Sequence, residues 1–126
     1  METGKKILII EDDTDLLTLL AEALTEAGFT VLSNSNGTEG LLRAEKEHPD
    51  LMLIDLDLPG MGGHAVVTQL HENAETSKIP VIIFSNSAEI TDVGKAMEEG
   101  VLYYLPKSDW ELDGVVKKVK EALKIA

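Results

Sequence analysis

Short apolar runs alternate with amphipathic segments along this chain. Each run is rich in branched aliphatic residues and stops abruptly at polar residues, which is typical of strands buried on both faces of a sheet. Strands are predicted at 5–10, 30–33, 51–54, 81–84 and 101–105. Between the runs, apolar residues recur at three- and four-residue spacing, which predicts helices. Helices are predicted at 14–27, 38–47, 64–72, 88–99 and from 109 onward.

Individual residues indicate helix ends and helix faces. Gly28 follows the first predicted helix, where a terminating glycine is common. Asp109 is expected to cap the last helix, with Trp110 in its first turn. In the second helix, Leu41, Leu42 and Ala44 are expected to face inward.

The alternation of strands and helices predicts an α/β fold, in which a parallel sheet carries helices on both faces. A chain of 126 residues is too short for an eight-fold barrel and fits one doubly wound domain spanning 1–126. The sequence has no cysteine, which excludes a disulfide framework and a thiolate metal site.

The charge balance narrows the classes of partner. Asp and Glu number 23 against 11 Lys and Arg, so the formal net charge is −12. Such a chain repels nucleic-acid phosphates and anionic lipids, so we expect no direct nucleic-acid or membrane binding. The apolar runs are shorter than the roughly 20 residues of a membrane span, and no apolar leader opens the sequence. A cytoplasmic location is therefore expected.

Polar residues stand where the predicted strands end. Glu11 and Asp12 follow the first strand, Asp55 the third and Ser85 the fourth, while Lys107 comes two residues after the fifth. Ligands of doubly wound sheets bind outside the carboxyl ends of the strands, near the point where strand order reverses. These five side chains are therefore predicted to form one site.

The charges of this predicted site constrain its chemistry. Two carboxylates about 5 Å apart repel by roughly 3 kcal/mol at an effective dielectric near 20, so protons or a divalent cation must relieve the cluster. Mg²⁺ prefers oxygen ligands and retains waters that a phosphate can replace, whereas the scattered histidines provide poorly for zinc. Carboxylate, hydroxyl, ammonium and magnesium together favour phosphoryl transfer, with Asp55 on a central strand as the nucleophile.

These residues also match a known family. The chain carries IIED at 9–12, DLDLPGMGG at 55–63, the pair Phe84-Ser85, and Lys107. With this ordered set it resembles the receiver domain of two-component response regulators over essentially its whole length. The resemblance implies a flavodoxin-like (βα)5 fold with strand order 2-1-3-4-5. It also implies a protein that is no enzyme in the usual sense, because it catalyses only its own phosphorylation and dephosphorylation.

The resemblance implies a phosphoacceptor and a magnesium site. Asp55 would accept the phosphoryl group. Glu11 and Asp12 would hold Mg²⁺, with Asp12 as the direct ligand of the two. Asp55 itself and the backbone carbonyl of Asp57 would complete the protein ligands. Asp13, the next acid, is interpreted as a helix cap and not as a ligand.

The resemblance also implies a switch and its partners. Ser85, Asn86 and Lys107 would bind the phosphoryl group, and Ser85 and Tyr104 would move on activation. The donor would be a phosphohistidine on a sensor histidine kinase or a histidine phosphotransfer protein. The target would be a protein that binds the face formed by the fourth predicted helix, the fifth strand and the last helix. A homodimer on activation is compatible with this reading.

Three positions depart from the family pattern. Asn86 stands where a small residue is usual and is expected to narrow access to the phosphoryl group. Ser108 replaces a proline whose preceding peptide bond is typically cis; a cis bond costs about 2.5–4 kcal/mol before other residues, so Lys107 is expected to reach the site by another backbone path. Asp57 and Asn86 at the rim are expected to set the lifetime of the aspartyl phosphate.

Two other functions fit parts of the sequence. A receiver that no longer takes phosphate and serves as a docking module would explain Asn86 and Ser108. The triplet Asp55-Leu56-Asp57 resembles the D-x-D motif of haloacid-dehalogenase-type phosphatases. That motif, however, does not usually continue into a proline such as Pro59, and it needs a cap that a chain of this length lacks.

Overall fold

Five parallel strands form a single sheet. The structure is a computed structural model that describes residues 2–86, 94 and 97–125. The strands are β1 (Lys6–Ile10), β2 (Thr30–Asn34), β3 (Leu51–Ile54), β4 (Val81–Ser85) and β5 (Tyr103–Pro106). Their order in the sheet is β2-β1-β3-β4-β5, with every neighbouring pair parallel. The predicted doubly wound sheet and its strand order are confirmed.

Four helices are fully defined within the described residues. They are α1 (Thr14–Glu26), α2 (Gly37–Glu47), α3 (Gly63–Glu72) and α4 (Leu112–Ala122). Among the residues that the structure covers, no helix combines the length and apolar character that crossing a bilayer requires.

The core consists of two layers, one on each face of the sheet. Successive side chains of a strand point to opposite faces, so β1 contributes to both layers. Ile7 and Ile9 pack in the layer beneath α1 and α4, whereas Leu8 and Ile10 pack in the layer beneath α2 and α3. All four are fully buried, as the unbroken apolar run predicts.

The first helix begins and ends as its sequence indicates. Asp13 is the N-cap, and its Oδ1 accepts hydrogen bonds from the backbone N–H groups of Asp15 at 3.1 Å and Leu16 at 3.2 Å. The interpretation of Asp13 as a cap is therefore confirmed. Gly28 follows the helix with φ of +97°, a left-handed conformation that glycine adopts without strain.

The second helix presents a different face from the one expected. Leu41 is buried, but Leu42 is 61% exposed, so the prediction that Leu42 faces inward was wrong. The buried stripe also includes Gly37, Gly40 and Ala44. A Cβ at Gly40 would overlap the Ile10 side chain, which shows how closely α2 approaches β1. Because Gly40 makes this contact, the inward face of α2 is centred away from Leu42.

The last strand and helix begin later than predicted. Pairing of β5 starts at Tyr103, opposite Ile82, rather than at 101. The N-cap of α4 is Glu111, so the prediction that Asp109 caps the helix was wrong. Asp109 instead lies in a turn in which its N–H donates to the carbonyl of Pro106 at 3.0 Å. This turn delays the helix and leaves Trp110 ahead of it, packed against the layer beneath α1 and α4.

The helix predicted at 88–99 falls mostly outside the described residues. Gly94, Met97 and Glu98 are helical, and Gly100 follows with φ of +87°. Glu99 contacts α3, because its Oε2 accepts a hydrogen bond from Thr68 Oγ1 at 2.7 Å.

Candidate functional site

Backbone pairing continues past the ends of the strands and carries the predicted site residues to one edge of the sheet. Ile10 pairs with Ile54, and the next N–H, that of Asp55, donates to the carbonyl of Ile10 at 3.0 Å. Between the ends of β4 and β5, the N–H of Lys107 donates to the carbonyl of Ser85 at 3.1 Å. Backbone pairing therefore fixes the positions of Asp55 and Lys107 at this edge of the sheet.

The Lys107 ammonium group bridges two buried carboxylates. Its Nζ lies 2.7 Å from Glu11 Oε1 and 2.8 Å from Asp55 Oδ2. The side chains of Glu11 and Asp55 are only 2% and 4% exposed, and that of Lys107 is 17% exposed. Charged groups so poorly hydrated are stable only when they are paired, so these three side chains form one electrostatic unit.

The remaining carboxylate oxygens accept hydrogen bonds from the backbone. Glu11 Oε2 accepts from the N–H of Asp13 at 3.1 Å, and Asp55 Oδ1 accepts from the N–H of Asp57 at 3.0 Å. The fully buried Ser85 hydroxyl is a further hydrogen-bond partner of Asp55. Each carboxylate thus has one oxygen held by the main chain and one held by Lys107.

Three acidic residues are placed so that they could hold one cation. Glu11, Asp12 and Asp55 each offer an oxygen, and these atoms lie within 4.8 Å of one another. Asp12 is exposed at the opening of the site, whereas the other two are buried. An all-oxygen donor set with an open side suits a hard ion such as Mg²⁺, which keeps part of its water shell.

The surroundings shift the pKa of all three buried charges. Burial raises the pKa of Glu11 to about 7, against the opposing effect of its bond to Lys107. For Asp55, burial also favours a higher pKa. The hydrogen bonds from Lys107, the Asp57 N–H and Ser85 outweigh this effect, so the pKa of Asp55 is lowered. Burial disfavours the charged form of Lys107, but its two carboxylate partners raise its pKa overall. Of the two acids, Asp55 is therefore the one held firmly as a carboxylate.

We expect the Glu11→Gln variant to flatten the pH dependence of stability. The pKa of Glu11 is raised from 4.5 to about 7 in the folded protein. Between these pH values, the folded protein keeps a proton on Glu11 that the unfolded chain has released. The free energy of unfolding therefore falls as the pH rises through this range. The fall attributable to Glu11 is at most roughly 3 kcal/mol. Urea unfolding in EDTA at several pH values measures it.

Glu22→Gln provides the matched control, because it removes the same charge from an exposed position on α1. The control variant should keep the slope of the wild type between about pH 5 and 8. Identical slopes for the wild type and Glu11→Gln would contradict the assignment of the shifted pKa to Glu11.

The rim of the site is formed by exposed residues. Asp57, Asn86 and Ser108 are all exposed, and Asn86 directly follows the buried Ser85. The described residues include no cis peptide bond, so the bond between Lys107 and Ser108 is trans. The Lys107 side chain nevertheless reaches Asp55, which removes the main sequence-based argument that Ser108 disables the site.

The two tyrosines of β5 pack on opposite faces of the sheet. Tyr104 is half-buried against the layer beneath α2 and α3, and its hydroxyl oxygen is buried. Tyr103 packs with the layer beneath α1 and α4, where Lys118 Nζ lies 4.7 Å from the centre of its ring. Their opposite placement agrees with the sequence, and a switching movement of Tyr104 stays a prediction.

Five residues that the sequence predicted for one site lie together, namely Glu11, Asp12, Asp55, Ser85 and Lys107. The bond between Glu11 and Lys107 was not predicted. Lys107 was assigned to the phosphoryl group alone, and Glu11 to the metal. The available signal was the type of acid: glutamate is one methylene longer than the aspartate beside it, which extends its reach toward the fifth strand. Side-chain reach across strand ends cannot be read from spacing along the chain.

Comparison with known proteins agrees with this geometry. Residues 7–120 match the family model of the response regulator receiver domain. The chain is 37% identical over 102 residues to protein PilH of Pseudomonas aeruginosa. The aligned region covers 81% of this chain and 84% of PilH. The chain is 33% identical to the transcriptional regulatory protein PhoP of Bacillus subtilis, covering 98% of this chain. It spans only about half of that longer relative, 51% of its length.

Solved structures show the same architecture. A CheY-like response regulator receiver domain protein from Methanospirillum hungatei superposes with a TM-score of 0.89 at 28% identity, covering 95% of this chain and 94% of that one. The phosphorylated cyanobacterial phytochrome response regulator RcpA superposes with a TM-score of 0.79 at 31% identity, covering 93% and 91% of the two chains. The chain therefore belongs to the response regulator receiver domain family. It is a receiver domain similar to regulators of two-component signalling such as PilH and PhoP.

Proposed function

We propose that Asp55 is the phosphoacceptor of this receiver. The observation that carries the proposal is the position of its carboxylate, which is buried, held ionised and bonded to Lys107 and Ser85. An ionised carboxylate is the form that can attack phosphorus. In the reaction, a carboxylate oxygen of Asp55 bonds to phosphorus, the bond from phosphorus to the donor imidazole nitrogen breaks, and that nitrogen takes up a proton.

The neighbouring residues have complementary roles in this proposal. Lys107 and Ser85 already contact the Asp55 carboxylate, and after transfer they would donate to the phosphoryl oxygens. Asn86, next along the chain and exposed, would contact the phosphoryl group from the rim. The Asp57 N–H holds Asp55 Oδ1 and orients the carboxylate.

Mg²⁺ is the cofactor that this oxygen-rich cluster fits. Glu11, Asp12 and Asp55 would hold it with their carboxylates, and Asp57 would add its backbone carbonyl. The bound ion would offset the charge of the transferring phosphoryl group. Without a cation, the dianionic phosphoryl group would lie against Glu11 and Asp12, which is strongly unfavourable.

The donor in this proposal is a sensor histidine kinase or a histidine phosphotransfer protein. We also propose that the protein acts in the cytoplasm. We propose that residues 1–126 act as one receiver unit. Its output would pass through Ser85 and Tyr104 to a protein bound on the face of the fourth predicted helix, β5 and α4. Met97 and Leu102, each 46% exposed, give that side apolar surface suited to a protein target or to a second copy.

A phosphorylation-independent docking module is the second candidate. Asn86 at the rim favours it, because this residue departs from the family pattern. Ser108 also departs from that pattern, but Lys107 still reaches Asp55. The bonds from Lys107 to Asp55 and Glu11 weigh against it, since a disused site has no need for a paired, buried nucleophile. A haloacid-dehalogenase-type phosphatase is disfavoured by the match to the receiver family.

Labelling by acetyl phosphate in the presence of Mg²⁺ tests the proposal. Intact-mass spectrometry should show one added phosphoryl group on the wild type and none on Asp55→Asn. Asp113→Asn is the matched control, because it makes the same change at an exposed position in the first turn of α4, outside the site. That variant should still be labelled.

The other outcomes separate the alternatives. Label retained by Asp55→Asn would place the acceptor on another residue. A folded wild type that takes no label, with or without Mg²⁺, would favour the docking module. Repeated turnover of a generic phosphate ester would favour the phosphatase.

A further inference from the structure

We propose that the outer edge of β2 docks an extended, basic segment of a partner protein, which joins the sheet as an additional strand. β2 lies at one end of the sheet and has a single neighbour, β1. The residues that could hold a cation come from other strand ends. The docking site is therefore independent of the phosphoacceptor site.

The pairing of β2 with β1 shows which backbone groups point outward. The N–H of Thr30 donates to the residue before β1 at 2.9 Å, and the carbonyl of Asn34 accepts from the residue after β1 at 3.1 Å. Alternate residues of a strand direct their N–H and C=O groups to the same side, so Thr30, Leu32 and Asn34 face β1. Val31 and Ser33 therefore direct theirs away from the sheet.

Three of these outward groups are available for pairing. Among the residues that the structure describes, none hydrogen-bonds to the N–H groups of Val31 and Ser33 or to the carbonyl of Val31. The carbonyl of Ser33 differs, because it accepts a hydrogen bond from Arg43 Nη1 at 3.2 Å. An added strand gains main-chain hydrogen bonds from such groups, and its side chains at alternate positions provide specificity.

The sequence of β2 leaves this edge unprotected. Charged residues or proline usually protect an edge strand against pairing. Charged residues make up 27% of this chain, yet none occurs in 27–38, the range that contains β2. The opposite edge of the sheet, β5, contains Pro106 and has Lys118 Nζ 4.7 Å from the ring centre of Tyr103. β2 is thus the edge that is open to a partner strand.

A groove beside this edge indicates the chemistry of the partner. It has a volume of about 440 Å³ and lies between α1 and Ser33. Leu17 and Ala21 give it apolar surface, and Glu22 and Glu26 are exposed carboxylates along it. An added strand directs every second side chain to this face of the sheet. Lysine or arginine at those positions would pair with the glutamates and cover the apolar surface with its stem.

A second copy of this chain is a poorer occupant of the edge. Antiparallel pairing of two β2 strands would place both α1 helices on the same face of the joined sheet. Glu22 and Glu26 of each copy would then approach those of the other, and each copy carries a net charge of −12. The charge of the groove is instead complementary to a basic partner.

Amide hydrogen exchange measured by NMR tests the proposal. The probe is a peptide of about eight residues in which lysine and valine alternate. Without it, the amides of Val31 and Ser33 should exchange rapidly and that of Leu32 slowly. Saturating peptide should slow exchange at Val31 and Ser33 by about tenfold or more, because their N–H groups become hydrogen-bonded. The same peptide with glutamate in place of lysine should leave both rates unchanged.

Two substitutions at one exposed position separate main-chain pairing from side-chain effects. Ser33→Pro removes the outward N–H and keeps the ladder with β1, since proline is tolerated where an edge strand faces solvent. The affinity for the lysine peptide should fall by about fivefold or more. Ser33→Ala is the matched control, because it removes the hydroxyl group and keeps the N–H. It should bind like the wild type.

Each contrary result overturns a stated part of the proposal. A lysine peptide that leaves both exchange rates unchanged, or that binds Ser33→Pro as tightly as Ser33→Ala, would overturn the docking site. Equal binding of the glutamate peptide would overturn the basic character of the partner. Exchange at Val31 and Ser33 that slows with rising protein concentration, in the absence of peptide, would identify a second copy of this chain as the occupant. The exchange rates of the wild type decide the question even if Ser33→Pro does not fold.

Discussion

Replacing Lys107 with methionine is expected to lower the free energy of unfolding by about 3 kcal/mol at about pH 8 in EDTA. The substitution leaves Glu11 and Asp55 buried, adjacent and without their shared cation. Breaking a buried ion pair costs this much because the surviving charges keep their desolvation penalty and lose their attraction. Urea unfolding followed by the fluorescence of Trp110, the single tryptophan, measures the change.

Two further measurements identify the cause of that loss. Lowering the pH to about 5.5 should recover much of the stability, because Glu11 can take up a proton in the folded state. Saturating Mg²⁺ should recover it as well, since a ligand that binds only the folded chain stabilises it. A Lys107→Met variant as stable as the wild type at about pH 8 would contradict the electrostatic account.

Replacing Gly63 with alanine is expected to cost about 2 kcal/mol or more, although alanine is the better helix former. A Cβ at Gly63 would overlap the carbonyl oxygen of Asp55 and lie 2.6 Å from the Cα of Leu56. Both contacts are with backbone, which cannot move aside as a flexible side chain can. The first turn of α3 must then shift away from the end of β3. The midpoint of urea unfolding reports this change.

The adjacent glycine provides the control for this substitution. A Cβ at Gly62 would meet only the carbonyl oxygen of Leu56, at 3.7 Å, which is an ordinary contact. Gly62→Ala should therefore change the free energy of unfolding by less than about 1 kcal/mol. Similar losses in the two variants would indicate a general effect of glycine replacement and not the close approach of α3 to Asp55.

The accuracy of the strand predictions follows the depth of burial. β3 was predicted to the residue, because Leu51–Ile54 is buried throughout and lies between polar residues. β5 was predicted two residues early, because Val101 is buried without joining the ladder. A run of apolar residues predicts which positions are buried. Buried positions coincide with paired strand residues in the centre of a sheet, but less closely at its edges.

Helix starts and faces were predicted less well where neighbours decide them. Asp13 caps α1 as expected, since the cap bonds lie within one turn of chain. Asp109 does not cap α4, because the turn at Pro106 intervenes. Leu42 is exposed because Gly40 on α2 forms the contact with β1. Sequence patterns express local chemistry, whereas these outcomes depend on which element packs closely.

The amino-acid sequence by itself determined the layered fold, the acidic character of the chain and the strand ends at which polar groups collect, because buried runs and abrupt polar stops are local properties. Only the tertiary structure decided that Lys107 bridges Glu11 and Asp55 and that the backbone holds the remaining oxygens. Those contacts join residues from three strand ends. Their geometry depends on strand register, side-chain length and rotamer together, none of which is fixed by spacing along the chain.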